Sequence, residues 1–429
     1  MSDSSTSTPA RPRETARPRA GAAEARSASA AARAARVDHL GTETVFAVAA
    51  DAAALAAQGK TVFPFHLGDL NISTPTNIAA AAARALHDGK TTYCPNAGIP
   101  QLREAIAADV SDSHRLRYGP DNVSVQTGGK PVIGKFLLTM MDPGDEVLYP
   151  NPGFPIYSSL IEFFGGRAVP YTYVEGPDGF SLDLEQIERL VTPATKLLIL
   201  NDLHNPTGAE CTPRELEGLA ELVRRHRLFV LCDEAYFDVR YEGSSHSFAS
   251  LPGMDERCVI LYTFSKKYAM TGWRLGAAIG PRWFIDVCNT LNVNGESCTN
   301  QFVQWGGLEA LTGDQSGARE ILEVLQRRRD AAREILSATA GVRCLQPNTT
   351  FYLYPNVTDA MARTGLTGYE DFRRAILQHT GVSMCTRLHF GPALAGETQR
   401  YLRFAYSGLH TDGIREGLGL LKSFIEQHE

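Results

Sequence analysis

The chain has 429 residues and no uninterrupted apolar run near the ~18 that a membrane-spanning helix needs, so no span is expected. It has no excess of base. A formal charge of -6 argues against a nucleic-acid footprint, which would be basic and clustered. It has no Cys-x-x-Cys pair and no tight Cys/His group. The eight scattered cysteines therefore fit reduced thiols in a cytoplasmic protein, and neither a disulfide scaffold nor a zinc site; no metal is expected. No internal repeat of roughly 20–50 residues is present, which excludes a solenoid. What is there is an ordinary globular mixture, 43% apolar and 21% charged, long enough for two domains at about 100–200 residues each.

No large apolar residue appears between Ser2 and Arg36, and in residues 1–36 seven arginines stand against Asp3, Glu14 and Glu24. Such a segment cannot bury a core and is expected to be a disordered extension. Its Arg-rich, Ser-rich, acid-poor character also resembles an organelle transit peptide. The Ala/Arg bias runs on through Ala57, which favours the plain extension. Over residues 37–59, Leu40, Val45, Val48, Ala52 and Leu55 are spaced for one amphipathic helix. Further helices are expected over 77–87 and 101–109.

Beyond Asn122 the pattern changes. Short runs apolar on both faces occur at 123–125, 146–149, 167–171, 196–200, 228–232, 258–262 and 275–279. Helical stretches separate most of them, such as 213–225 with its Leu216, Leu219 and Leu222 stripe. This predicts an α/β fold with a mainly parallel sheet covered on both sides, which binds ligands beyond the strand carboxyl ends. After Ser316 a long helix (319–337), alternating runs at 350–353 and 401–406 and a last helix (414–427) form an α+β region.

Chemistry concentrates at 262–276, where Lys266 follows a strand and Arg274 follows Lys266 by eight residues. A lysine with a burial-lowered pKa can form a Schiff base with an aldehyde. Arg274, with the Thr263 and Ser265 hydroxyls, suits a phosphate. Aldehyde plus phosphate points to pyridoxal 5′-phosphate (PLP); taken alone, the stretch also reads as exposed lysines and a surface arginine. Upstream, Thr127-Gly128-Gly129-Lys130 follows a strand and opens a helix, leaving backbone N–H groups for an anion. Asn205-Pro206-Thr207-Gly208, Asp233-Glu234-Ala235-Tyr236 and Arg403 complete the set.

In that order these motifs resemble the fold-type I, class I/II aminotransferases, the aspartate aminotransferase superfamily, over about Thr42 to the C-terminus. The resemblance implies a large PLP-binding domain over 74–312 with a mainly parallel seven-stranded sheet. A smaller α+β domain over 313–429 is joined by 37–73. It implies that Lys266 carries the cofactor and moves the Cα proton. Asp233 keeps the pyridine nitrogen protonated, Asn205 and Tyr236 donate to the phenolic oxygen, and Phe154 stacks on the ring. Gly128, Gly129, Lys130, Thr263, Ser265 and Arg274 hold the phosphate, with Lys130 acting by its backbone. Arg403, with Gly68 and Asn205, receives the substrate α-carboxylate. Tyr93 reaches the phosphate of a neighbouring subunit, so a homodimer is implied. The spacing to Arg274 and Gly276 selects Lys266 over Lys267.

The implied reaction moves an amino group from an L-amino acid to a 2-oxo acid by a ping-pong scheme. The same residues also serve relatives such as 1-aminocyclopropane-1-carboxylate synthase in elimination or ring closure. A non-catalytic regulator is a third reading, set against an intact Lys266 and the absence of a helix-turn-helix pattern in residues 1–36. Two departures concern the substrate. The 291–301 segment carries Glu296 where dicarboxylate-specific members place an arginine, which leaves room for a basic substrate side chain. Arg387 or His389 could line the pocket or lie on the surface.

Overall fold

A computed structural model of the chain describes residues 33–41 and 44–427. All seven two-sided apolar runs become strands of one sheet: β1 (Val123–Gln126), β2 (Glu146–Pro150), β3 (Arg167–Tyr171), β4 (Thr195–Leu200), β5 (Phe229–Asp233), β6 (Cys258–Thr263) and β7 (Gly276–Ile279). Their spatial order is β1-β7-β6-β5-β4-β2-β3. Strand β7 runs antiparallel to β1 and β6, and the remaining pairs are parallel.

The reason is visible residue by residue. Leu198 and Leu200 of β4, Val230 of β5 and Ile260 of β6 enter one core with Leu102, Ile106, Leu216 and Leu219 from the helices Pro100–His114 and Pro213–His226. Their strand neighbours Leu197, Ile199, Leu231, Val259 and Leu261 enter the opposite core. There they meet Ile133, Phe136, Ile161 and Phe284 of Lys130–Met140, Ile156–Phe163 and Arg282–Asn294. A strand with both faces covered must be apolar at every position.

A third core joins the helices Ser316–Ser337 and Thr411–Glu426 to a small sheet in which Leu402–Ala405 lies between Tyr352–Leu353 and Cys385–Thr386. Phe63–Pro64 pairs in parallel with Val382–Ser383, bringing the N-terminal segment onto the C-terminal one.

Two expectations need correction. The single helix over 37–59 is instead a 3-10 helix, Ala35–His39, and an α-helix, Val45–Ala56. Gly41, a weak helix former, donates its N–H to Ser159 Oγ at 2.9 Å and docks the segment on the Ile156–Phe163 helix. The run around Arg403 does not alternate: all four residues of Leu402–Ala405 are buried, because that strand is the central one. The expected disordered extension, 1–36, lies outside the described residues up to residue 32; from Ala35 it belongs to the 3-10 helix.

Candidate active site

A cavity of about 390 Å³ opens beyond the carboxyl ends of β4, β5 and β6. Gly68, Gly129, Lys130, Phe154, Asn205, Asp233, Tyr236, Thr263, Ser265, Lys266, Arg274 and Arg403 all line it. They come from segments spread over more than 300 residues; most follow strands of the large sheet, which deliver their loops to one edge, while Gly68 and Arg403 come from the N- and C-terminal segments.

Lys266 projects from the loop after β6. Its Nζ donates to the Gly68 carbonyl at 3.1 Å and lies 5.4 Å from the Phe351 ring centroid. Burial lowers its pKa to about 8; Arg403 and Arg274 act in the same direction, against Asp69 and Asp233. A substantial neutral fraction is therefore present near neutral pH, as a nucleophilic amine requires. Lys267 is held by Asp238 at 3.2 Å and does not line the cavity.

Asp233 ends β5 and is buried. Its Oδ2 accepts the Tyr157 hydroxyl at 2.5 Å and its Oδ1 the Ala235 N–H at 3.1 Å. Burial raises its pKa against those two hydrogen bonds. A cation placed against it would reverse that shift. Asn201, also on the cavity wall, accepts the Asn205 N–H at 3.0 Å and donates to the Asp233 carbonyl at 2.9 Å, tying two of the motifs together.

At one end lies an anion cradle. Gly129 caps the Lys130–Met140 helix, which has Pro131 in its first turn. Gly128 has φ +99, and a Cβ there would sit 2.3 Å from Arg274 Nη2, so glycine alone lets the guanidinium lie against the loop. Thr263 Oγ1 donates to Ser265 Oγ at 2.9 Å beside it. Helix-start N–H groups, a guanidinium and two hydroxyls are the donor set for a phosphate.

At the other end Arg403 donates to the His66 carbonyl at 2.6 Å and to Asn205 Oδ1 at 3.2 Å. Its guanidinium carbon lies 4.4 Å from the Tyr352 ring centroid and 4.6 Å from that of Phe390. Its Nε is buried with no hydrogen-bond partner among the described residues. A buried donor left unmatched is suited to a carboxylate arriving with the substrate.

Residues 60–421 match the sequence profile described as aminotransferase class I and II. The chain belongs to the class I and II aminotransferases. It is 34% identical over 399 residues to a probable aspartate/prephenate aminotransferase of Aquifex aeolicus, covering 92% of this chain and 98% of that protein. It is 36% identical over 354 residues to an aspartate/prephenate aminotransferase of Cereibacter sphaeroides, covering 80% and 88%. The structure of the aspartate aminotransferase of Thermus thermophilus with maleate superposes with a TM-score of 0.82 at 30% identity, covering 91% of this chain and 99% of that one. The enzyme is a PLP-dependent aminotransferase, and the comparisons do not favour the elimination or ring-closure alternative.

The residues fit the cofactor in this aminotransferase. The phosphate donor set lies at one end, the lysine of lowered pKa in the middle and a buried carboxylate beyond it, all on one cavity.

Other selected residues fall elsewhere. Gly128 backs Arg274 without lining the cavity. Tyr93 is 86% exposed and does not reach this chain's own cavity. Glu296 forms an ion pair with buried Lys135, which is also bonded to Gln126 and Asn292, and it does not line this chain's cavity. Arg387 is buried against the Gly391 carbonyl and Glu397, and His389 accepts the Thr386 N–H; neither lines the cavity.

The sequence reading missed Tyr157, Asn201, Tyr352, Leu67 and Phe390 on the cavity wall. The spacing of Tyr157, three after Phe154, was the one usable signal, and their rings meet edge-on at 5.7 Å.

Proposed function

We propose that this aminotransferase holds PLP with Lys266 as the covalent partner and Asp233 against the pyridine nitrogen. Asn205 and Tyr236 face the phenolic oxygen, Phe154 lies against the ring, and Gly128, Gly129, the Lys130 backbone, Thr263, Ser265 and Arg274 take the phosphate. When bound, PLP withdraws electron density from the substrate Cα. The residues do the rest. Arg403 grips the α-carboxylate and, with Asn205 and the Gly68 backbone, sets which Cα bond faces the lysine. Once the substrate amine has displaced it from the cofactor, the freed Lys266 amine would take the Cα proton and return it to the carbon that accepts the amino group. A pKa near 8 suits an amine that must alternate between base and acid.

The proposed assembly is a cytoplasmic homodimer, with exposed Tyr93 reaching the partner's phosphate site. The proposed division is a large unit over 74–312 and a small one over 313–429 with 37–73. The pairing of Phe63–Pro64 with Val382–Ser383 supports the last point. Aspartate is the proposed first donor, on the names of the relatives.

The observation that carries the reading is the convergence of Lys266, Asp233, Arg274 and Arg403 on one cavity. The test is a single incubation of cofactor-loaded enzyme with aspartate and no acceptor. One equivalent of 2-oxo acid per subunit, with no more until a 2-oxo acid is added, is expected. Continuous release of ammonia or product without acceptor would overturn it.

A further inference from the structure

Tyr352 belongs to none of the motifs, yet it touches three groups of the site. Its hydroxyl lies 2.6 Å from the Tyr236 hydroxyl. Its ring carries the Arg403 guanidinium, 4.4 Å from ring centroid to guanidinium carbon. A Cβ on Gly68 would stand 2.2 Å from its hydroxyl, so the phenol packs directly on the glycine whose carbonyl holds Lys266.

The backbone leading to it is strained. Thr350 has φ +64, a conformation that β-branched residues rarely adopt. It is held there by its own N–H to the Val239 carbonyl at 3.0 Å, and its hydroxyl accepts the Tyr352 N–H at 3.2 Å. The distortion brings Phe351 against Lys266 and Tyr352 against Arg403 in consecutive positions. Strain kept where it sets one side chain against the lysine and the next into the cavity is a mark of function.

We propose that Tyr352 is a positioning residue. Its hydroxyl donates to Tyr236 Oη, which leaves the Tyr236 proton free to point into the cavity at the cofactor's phenolic oxygen, while its ring fixes the plane of Arg403. This rests on the reading of Tyr236 given above. Geometry alone allows either hydroxyl to donate, and the direction is inferred from the ring contact. The guanidinium on the Tyr352 ring favours electron density there and so favours Tyr352 as the donor. A Tyr236 hydroxyl that accepts one hydrogen bond is a stronger donor of its own. One residue thus couples the carboxylate grip to the cofactor's proton balance.

The test separates hydroxyl from ring. Tyr352→Phe keeps the ring under Arg403 and deletes the donor; Tyr352→Leu removes both. In the PLP-loaded enzyme without substrate, the pH midpoint of the cofactor's visible absorbance should rise in Tyr352→Phe by roughly half a unit to one unit. The amino-donor KM should stay within about twofold. Tyr352→Leu should show the same midpoint shift and an amino-donor KM on the order of tenfold higher. A merely structural tyrosine would not move the midpoint. An unmoved midpoint in Tyr352→Phe, in protein that binds PLP and releases 2-oxo acid normally, overturns this inference and leaves the proposed function standing. Failure to bind PLP at all would sink the latter instead.

Discussion

Lys266→Met probes the feature on which the chemistry turns, the lowered pKa of a buried amine. In the unfolded chain this lysine titrates near 10.5, and in the fold at about 8. Between those values the unfolded chain binds more protons, so stability rises with pH across the window. Below pH 8 the cofactor-free fold carries the whole cost of an ammonium it does not solvate well. A shift of about two and a half units is worth about 3 kcal/mol at ~1.4 kcal/mol per unit. Methionine has similar volume and no charge, so the cavity stays filled. The cofactor-free variant should therefore unfold at a higher temperature than the parent at pH 7. Its advantage should be about 1–3 kcal/mol, shrinking steadily from pH 8 towards pH 10.5. Scanning calorimetry of both proteins over that pH range measures it, and groups common to both cancel in the difference. A variant no more stable at pH 7, or an advantage that does not change with pH, refutes the burial argument.

Tyr157→Phe removes a 2.5 Å hydrogen bond from fully enclosed Asp233. The carboxyl pKa should climb further, and PLP affinity, measured by equilibrium dialysis, should fall roughly ten- to a hundredfold; equal affinity would contradict the role of Asp233. Gly128→Ala places a Cβ 2.3 Å from Arg274 Nη2 at φ +99. Phosphate and PLP retention should be lost together while the melting temperature stays within a few degrees, and full retention would show that the loop is not the cradle. Arg403→Lys loses the two-pronged geometry and the aromatic contacts. The amino-donor KM should rise on the order of 10–100-fold with PLP binding unchanged; a change confined to PLP binding would misplace the carboxylate.

The large sheet was legible residue by residue because burial on both faces leaves a mark in one dimension. Leu197 to Leu200 are all apolar, since alternate members serve opposite cores. The motif residues were equally legible. Asp233 ends a strand, Asn205 and Lys266 follow one, and each reached the cavity. The helix over 37–59 failed where Gly41 meets Ser159, a partner 118 residues away that no local pattern encodes. The ion partner of Glu296 was hidden in the same manner, because Lys135 comes from the Lys130–Met140 helix, 161 residues away.

By itself the sequence determined the α/β class, the order of the strands along the chain and the motif residues of the site, since each depends on periodicity or short spacing. The tertiary structure alone decided which groups meet: Tyr157 on Asp233, Tyr352 between Tyr236 and Arg403, and Lys266 on the Gly68 carbonyl. Those contacts join residues 51 to 198 positions apart, and they set the charge, direction and packing of groups whose identity the sequence had already supplied. Proton affinity and aim are properties of an environment, and an environment exists only once the chain has closed around it.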